Sequence, residues 1–383
     1  MEIDQSYLTK TLAALVGINS INPAFSRGTT NEAEIAGYVG AALTALGMQV
    51  RRHDAAPGRT SVVGRLPGTG AGRSLLLYAH MDTVGVDGMA EPFNARIDGR
   101  RMYGRGTYDM KGGLAACMAA AKAVVDRGSP LGGELLIAAV ADEEVASIGM
   151  ADVLRHHHAD AAIVTESTEL DVCLAHKGFC WIEIETDGRA AHGSRFEDGI
   201  DANMHMGRVL SELAGLERDL RARRAHPLVG PPSLHTPVIH GGTGTSTYAA
   251  HCRLEIERRT VPGETEAQVL TEIQSILDRL AAADPTFSAR ARGFLTRAAF
   301  EAPTEAPITR AVVAAARDVL GRTPGLVGKA YWMDAALLAA AGTDTVVIGP
   351  TGAGAHAIEE WVDLDSVAQV ASILAQSAVR YLT

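Results

Sequence analysis

The feature that most constrains the fold is an alternation of short apolar runs with helical segments through the first half of the chain. Three runs, LLLYA, LLIAAVA and AAIVT, are apolar at nearly every position, as expected for strands buried on both faces of a sheet. Segments with helical periodicity, one of them Ala-rich, separate the runs. This order predicts a three-layer α/β domain. Ligands of such domains bind beside the ends of the strands.

The pattern changes after residue 176. FCWIEIETDG and HCRLEIERR alternate apolar and polar residues, as strands with one exposed face do, and a helical segment follows each of them. The α/β pattern returns after about residue 292. We therefore predict a discontinuous catalytic domain, 1–176 and 293–383, with an inserted α+β unit, 177–292. A length of 383 residues, 47% of them hydrophobic, agrees with two domains.

Charge and composition exclude several classes of partner. The formal net charge of −10 disfavours nucleic acid and anionic lipid surfaces, which attract basic proteins. The first twenty residues lack the features of a signal peptide, and no later segment is long and apolar enough to span a bilayer. The four cysteines form no CxxC pair and are too sparse for a disulfide framework. We expect a cytoplasmic protein that binds neither nucleic acid nor membranes.

Candidate catalytic and metal-binding residues follow the three apolar runs. His80 and Asp82 close the first, Glu143 and Glu144 follow the second, and Glu166 ends the third. Two adjacent carboxylates at the end of a buried strand repel each other unless a cation or a shared proton compensates. The HxD spacing also suits a carboxylate that holds a metal-binding imidazole in the required tautomer.

Two further candidates lie in glycine-rich segments. Asp109 in YGRGTYDMKGG can enter a crowded site because glycines let the backbone turn sharply, although it can equally be the N-cap of the helix that follows. His356 in GPTGAGAHAIEEW lies in a loop that can approach a bound ion, and the alternative is an ordinary loop histidine. The run 156–158, three histidines late in a helical stretch, is interpreted as a solvated face.

Together these positions supply two imidazoles and three carboxylates, a mixture that suits two zinc ions bridged by one carboxylate. The set is His80, Asp109, Glu144, Glu166 and His356. Paired metals lower the pKa of a bridging water, and one carboxylate is left free as general base. Glu143 is the candidate for that role.

The chain resembles the dizinc aminoacylase and carboxypeptidase family, which includes acetylornithine deacetylase and succinyl-diaminopimelate desuccinylase. The resemblance covers nearly the whole sequence. Seven segments carry it in the family's order: LLLYAHMDTV, YGRGTYDMKGGLAA, ADEEVASIGM, VTEST, AAHGSRFEDGIDAN, ERRTVPGET and GAGAHAIEEW.

The resemblance implies a division of the metal ligands. His80 and Glu166 would bind one metal, Glu144 and His356 the other, and Asp109 would bridge them. The metals are expected to be Zn²⁺, although Co²⁺ and Mn²⁺ can share such ligands. The residue at the Glu166 position is usually Glu in deacylases and carboxypeptidases of the family and Asp in several aminopeptidases.

The resemblance also assigns roles in catalysis. It implies a zinc-hydrolase catalytic domain in which a metal-bridged hydroxide attacks the amide, Glu143 is the general base and Asp82 orients the imidazole two residues before it. The inserted unit resembles the family's ferredoxin-like lid, through which dimeric members associate, so the resemblance implies a homodimer through this unit and a small amino-acid-derived substrate. His192 in AAHGS matches a histidine that stabilises the oxyanion, in dimers from the partner subunit.

Substrate contacts are less constrained by the sequence. Arg258 or Arg259 matches a position that often binds a substrate carboxylate, and the sequence does not decide between them. The segment YWMDAALL departs from the family pattern, and Trp332 and Met333 are expected to make one wall of the pocket bulkier and less polar.

Three functions are compatible with this sequence. The first is a metal-dependent deacylase of a small N-acyl amino acid, similar to acetylornithine deacetylase. The second is a metallo-carboxypeptidase or dipeptidase on the same scaffold. The third is a non-catalytic protein that retains the fold, which the complete set of metal ligands and Glu143 disfavours.

Overall fold

The structure is a computed structural model that describes residues 1–70, 72–128 and 131–383. The chain forms two compact units. The first comprises Met1–Leu174, Ala302–Val327 and Met333–Thr383, and the second comprises Ala175–Glu301 and Gly328–Trp332.

The helices and strands of the described residues are numbered along the chain. The helices are α1 (Gln5–Gly17), α2 (Pro23–Ser26), α3 (Ala33–Ala45), α4 (Gly112–Asp126), α5 (Ile148–Val153), α6 (Ala202–Ala222), α7 (Glu266–Ala283), α8 (Pro307–Leu320), α9 (Ala335–Ala340) and α10 (Leu364–Leu382). The strands are β1 (Gln49–Asp54), β2 (Thr60–Leu66), β3 (Ser74–His80), β4 (Arg96–Asp98), β5 (Arg101–Tyr103), β6 (Glu134–Val140), β7 (Ala161–Val164), β8 (Val172–His176), β9 (Gly178–Asp187), β10 (Ser233–Gly241), β11 (His251–Thr260), β12 (Ser288–Arg297), β13 (Phe300–Glu301), β14 (Leu326–Lys329), β15 (Asp344–Val347), β16 (Gly352–Ala353) and β17 (Trp361–Asp363).

The first unit is organised around a nine-stranded mixed sheet with the order β1-β2-β6-β3-β7-β15-β8-β13, in which β14 also pairs with β8. The four central strands β6, β3, β7 and β15 are parallel to one another. Helices α4 and α10 pack on β3 and β6, whereas α3 and α5 pack on β1 and β2. The central strands are buried almost throughout, as their apolar composition predicts. The predicted α/β fold is confirmed.

Helix α4 begins close to the end of β7. A Cβ atom on Gly113 would lie 2.4 Å from the main-chain oxygen of Thr165, so only glycine fits without a shift of the backbone. The glycine pair at the start of α4 therefore lets this helix start directly beside the strand end that carries Glu166.

A small antiparallel sheet in the first unit brings two distant loops together. Its order is β16-β17-β5-β4, and Trp361 of β17 is paired with Tyr103 of β5. The loop that precedes β17 contains His356, and the loop that follows β5 leads to Asp109. Pairing of these strands therefore places the two glycine-rich segments side by side.

The second unit has an antiparallel sheet with the order β10-β11-β9-β12, with α6 packed on β9, β10 and β11 and α7 on β12. Along the chain the elements follow the order βαββαβ, which is the ferredoxin-like arrangement and confirms that part of the fold prediction. Alternate residues of β11 are buried beneath the helices. The core of the second unit includes Ile182 and Leu254 of the sheet and Ile273 of α7.

The predicted limits of the inserted segment, 177 and 292, differ from the bounds of the second unit. Residue 292 lies in the middle of β12, which pairs along most of its length with β9, so the sheet needs the chain beyond this point. The unit also includes Gly328–Trp332, a later segment that no sequence pattern distinguished.

Among the described residues, no helix is both long enough and apolar enough to cross a lipid bilayer.

Candidate active site

The candidate active site lies at the carboxyl ends of three adjacent parallel strands of the first unit. His80 is the last residue of β3, Glu143 and Glu144 follow β6, and Glu166 follows β7. Because β6, β3 and β7 are parallel neighbours, their carboxyl ends meet at one edge of the sheet. The structure therefore brings these four predicted residues together.

Asp109 and His356 join this group from the two loops aligned by β5 and β17. Asp109 lies in an irregular turn, Thr107–Lys111, where it and Met110 have non-helical backbone angles and share a cis peptide bond. His356 has a φ of 61°, which is uncommon for a residue other than glycine.

Asp109 stands between two imidazoles. Its Oδ1 is 3.1 Å from Nε2 of His80, and its Oδ2 is 3.3 Å from Nε2 of His356. Each imidazole has a second carboxylate beside it: Glu166 Oε1 is 3.5 Å from His80 Nε2, and Glu144 Oε2 is 3.0 Å from His356 Nε2. The group therefore consists of two imidazole–carboxylate pairs joined by one shared carboxylate.

The pKa values of the site residues are shifted because several buried carboxylates lie close together. Burial raises the pKa of Glu144 to about 7 and that of Glu166 to about 8, and repulsion from Asp109 adds to both shifts. Burial likewise raises the pKa of Glu143 well above its ordinary value. Hydrogen bonds to Asp109 and Glu144 raise the pKa of His356 to about 10. A cation bound here would compensate the charge of these buried carboxylates.

The donor set fits divalent metal ions. Two groups of side chains place their potential ligand atoms within 4.8 Å of one another: His80 with Asp109 and Glu144, and His80 with Glu143 and Glu166. Within the described part of the chain, Oε1 of Glu144 is buried and has no hydrogen-bond partner, although a buried carboxylate oxygen normally has one. Imidazole and carboxylate ligands are those that zinc prefers in hydrolases.

Asp82 supports the site through the backbone more than through the imidazole. Its carboxylate accepts hydrogen bonds from the main-chain N–H groups of Glu143 at 3.1 Å and Glu144 at 3.2 Å. Nδ1 of His80 is 3.0 Å from the main-chain oxygen of Asp82 but 3.6 Å from its Oδ1. The nearer acceptor for His80 is therefore a carbonyl, whereas the prediction named the carboxylate.

Sequence reasoning missed Glu360, which holds the loop that carries Asp109. The carboxylate of Glu360 accepts hydrogen bonds from the main-chain N–H groups of Gly106 at 2.9 Å, Tyr108 at 2.9 Å and Asp109 at 3.0 Å. Arg105 pairs with it at 2.7 Å, and the Glu360 side chain is fully buried. The only signal in the sequence was a second glutamate directly before β17.

Asn22 was missed as well. Its Nδ2 atom donates to the carboxylates of Asp82 at 2.8 Å and Asp142 at 3.0 Å, and it thereby links the two segments that follow β3 and β6. Arg59 also pairs with Asp142 and donates to Oδ1 of Asn22 at 3.2 Å. In the sequence, Asn22 reads only as an N-cap before a proline.

The remaining predicted residues belong to the second unit. His192 is exposed, and its Nδ1 lies 2.8 Å from Oγ of Ser194. Arg258 is fully buried and paired with Glu264 at 2.5 Å, so its guanidinium already has a carboxylate partner. Arg259 retains 20% side-chain exposure and pairs with Glu257 at 3.2 Å.

The expectation for YWMDAALL is wrong for Met333. Met333 is fully buried and therefore contributes to a core and not to the wall of an open pocket. Trp332 packs within the second unit, where its ring lies edge-on to Phe179 and its Nε1 donates to the main-chain oxygen of Ala298 at 3.1 Å. The sequence could not distinguish these two environments because both side chains are large and apolar.

Two curated proteins resemble most of the chain. An N-formyl-4-amino-5-aminomethyl-2-methylpyrimidine deformylase from Bacillus subtilis is 28% identical over 372 residues, with 89% of this chain and 86% of the relative covered. An acetylornithine deacetylase from Erwinia tasmaniensis is 31% identical over 323 residues, with 81% and 80% covered.

Among solved structures, the aminopeptidase PepT from Bacillus cereus matches with a TM-score of 0.82 at 19% identity, and the match covers 100% of both chains. This likeness confirms the fold. The sequence model of Peptidase family M20/M25/M40 matches residues 76–380. The matched range includes all six residues of the candidate site: His80, Asp109, Glu143, Glu144, Glu166 and His356. On this match the chain belongs to peptidase family M20/M25/M40 and is a hydrolase of amide bonds.

Proposed function

We propose that the protein is a two-metal deacylase that releases a small acyl group from an amine, with an N-acyl amino acid as the expected substrate. The observation that carries this proposal is the position of Asp109, whose two oxygens face two different imidazoles. A carboxylate in this position can bridge two ions, since each oxygen has its own neighbouring imidazole–carboxylate pair.

The ligands divide into two sets around Asp109. His80 and Glu166 would hold one ion, and Glu144 and His356 would hold the other. Two bound ions, Zn²⁺ in our proposal, would supply positive charge that lowers the pKa of a bound water and polarises the amide carbonyl. Co²⁺ and Mn²⁺ accept the same ligand types and are the alternatives to Zn²⁺.

Glu143 is assigned the transfer of the proton. Its Oε2 is 3.9 Å from Nε2 of His80, so it lies beside the cluster without a short contact to it. A pKa raised by burial suits a group that takes a proton from the attacking water and delivers it to the leaving amine nitrogen. Asp82 holds the main-chain N–H group of Glu143 and therefore positions the base.

The relatives support a small acyl group. Both named proteins remove a one- or two-carbon acyl group from an amine, although only one of their substrates is an amino acid. The family is a peptidase family, so a metallo-carboxypeptidase or dipeptidase on the same scaffold is the alternative.

The second unit is proposed to act as a lid and as the surface of a homodimer. Strand β10 is an edge of its sheet, and most of its residues are exposed, including Ile239 at 50%. An unpaired edge of this kind favours pairing with a second copy. In the proposed dimer His192 stabilises the oxyanion in the partner's site.

Arg259, which keeps partial exposure, is preferred over buried Arg258 as the ligand of a substrate carboxylate.

A cytoplasmic location completes the proposal. All four cysteines are free and buried, the state expected in a reducing compartment.

A substrate panel tests the chemical proposal. Chain loaded with Zn²⁺, Co²⁺ or Mn²⁺ is assayed on N-formyl, N-acetyl and N-succinyl amino acids, on N-acylated aminomethyl heterocycles and on dipeptides. We expect the highest kcat/KM on an N-formyl or N-acetyl compound. A preference for dipeptides would replace the deacylase proposal with the peptidase alternative.

Comparison of Arg259→Ala with Arg258→Ala tests which arginine binds the substrate carboxylate. We expect KM to rise in Arg259→Ala.

A further inference from the structure

A second group of potential metal ligands lies on the first unit, and it shares no residue with the cluster around Asp109. His53 belongs to β1, an edge strand of the large sheet, and Asp152 belongs to α5, which packs on β1. His156 and His157 lie in the turn that follows α5, where both main-chain N–H groups donate to Val153. The histidine run is therefore not simply a solvated face, because β1 supplies a partner histidine.

Three side chains of this group are close enough to share an ion. The potential ligand atoms of His53, Asp152 and His156 lie within 4.8 Å of one another. Nε2 of His157 is 2.8 Å from Nε2 of His53, and the His53 and His156 rings are stacked with centroids 5.1 Å apart. Two nitrogens bound to one tetrahedral ion, each at about 2.1 Å, lie roughly 3.4 Å apart.

The Asp152 carboxylate can exchange its present partner for a metal ion. The partner of Asp152 is Arg155 at 3.4 Å, with 75% of the arginine side chain exposed, and an ion pair of this kind is weak and easily replaced.

We propose that His53, Asp152 and His156 form a peripheral site for one divalent transition-metal ion that ties the edge strand β1 to α5 and the turn after it. Two imidazoles and one carboxylate favour Zn²⁺, Ni²⁺ or Cu²⁺ over Mg²⁺ and Ca²⁺, which prefer oxygen ligands. The ion would hold together elements that are distant in sequence, so its expected effect is on stability and not on turnover.

Metal analysis after equilibrium dialysis tests the proposal. The untagged full chain is dialysed against Zn²⁺ buffered in the micromolar range, and the ions bound per chain are counted for wild type, His53→Ala and the control His158→Ala. We expect His53→Ala to bind one ion fewer than wild type and His158→Ala to bind the same number as wild type. Turnover on an amide substrate should be unchanged in both variants.

His156→Ala removes an exposed ligand and provides a second test that does not alter β1. It should also lose one ion, and the rise in Tm that Zn²⁺ produces in wild type should be smaller in His53→Ala and His156→Ala. Because the comparison is a difference between variants, it does not depend on how many ions the cluster around Asp109 holds. Wild-type ion counts in both His53→Ala and His156→Ala would overturn the proposal.

Discussion

Replacement of Glu360 tests whether the Asp109 loop is held in place by one buried carboxylate. Glu360→Ala removes the acceptor for three main-chain N–H groups. Among the described residues, Arg105 then keeps its contacts to the main-chain oxygens of Gly85 and Ala357 and has no carboxylate partner. Loss of one partner of a buried ion pair typically costs about 3–5 kcal/mol, and a hydrogen bond to a charged group contributes about 1.5–3 kcal/mol.

We therefore expect the free energy of unfolding of the metal-free protein to fall by about 3–5 kcal/mol, with the unpaired N–H groups moving it toward the upper limit. Because Asp109 loses its support, metal affinity should also fall by about 10- to 100-fold. Glu360→Gln keeps one acceptor oxygen and should give a smaller loss in both measurements.

Urea unfolding in the presence of a chelator gives the stability, and competition with a chromogenic chelator gives the metal affinity. Glu359→Ala is the matched control, because Glu359 is the preceding residue and is exposed. The reasoning is refuted if Glu360→Ala matches Glu359→Ala in both stability and metal affinity.

Three further outcomes are expected. Glu143→Ala should retain both metals and lose about 10²- to 10⁴-fold in kcat, and near-normal turnover would exclude it as general base. His192→Ala should lose roughly 10²- to 10³-fold in kcat. Mixing His192→Ala subunits with Glu143→Ala subunits should restore part of the activity. If the subunits exchange and no activity returns, the histidine does not act across a dimer. Between about pH 5 and pH 8, the metal-free protein should lose stability as pH rises. In the folded protein the pKa of Glu144 is about 7 and that of Glu166 is about 8, whereas a glutamate of the unfolded chain has its ordinary pKa of 4.5. The folded state therefore binds more protons over this range, and raising the pH favours unfolding. The increase in Tm produced by zinc should grow over the same range, since the ligands bind it deprotonated; a zinc effect that is constant with pH would contradict this.

The parts of the structure that could be predicted from sequence are those set by local pattern. His80, Glu144 and Glu166 were identifiable because each follows an apolar run, and parallel strands end at a common edge. Asp109 was identifiable as a candidate from its flanking glycines, but only the structure shows its two oxygens facing two imidazoles.

The parts that could not be predicted depend on contacts between distant segments. Glu360 acts on Asp109 because β17 pairs with β5, and no local pattern reports that pairing. The burial of Arg258 and the partial exposure of Arg259 depend on where Glu264 and Glu257 lie, although the two arginines are adjacent in sequence. The contact of His53 with the histidine run has the same origin.

Anomalous diffraction at the zinc edge from crystals of zinc-loaded protein tests the two-metal centre most directly. We predict two peaks about 3.5–4 Å apart on either side of the Asp109 carboxylate, one beside His80 and Glu166 and the other beside Glu144 and His356. A single peak at this cluster, or two peaks that leave Asp109 without a metal contact, would contradict the account.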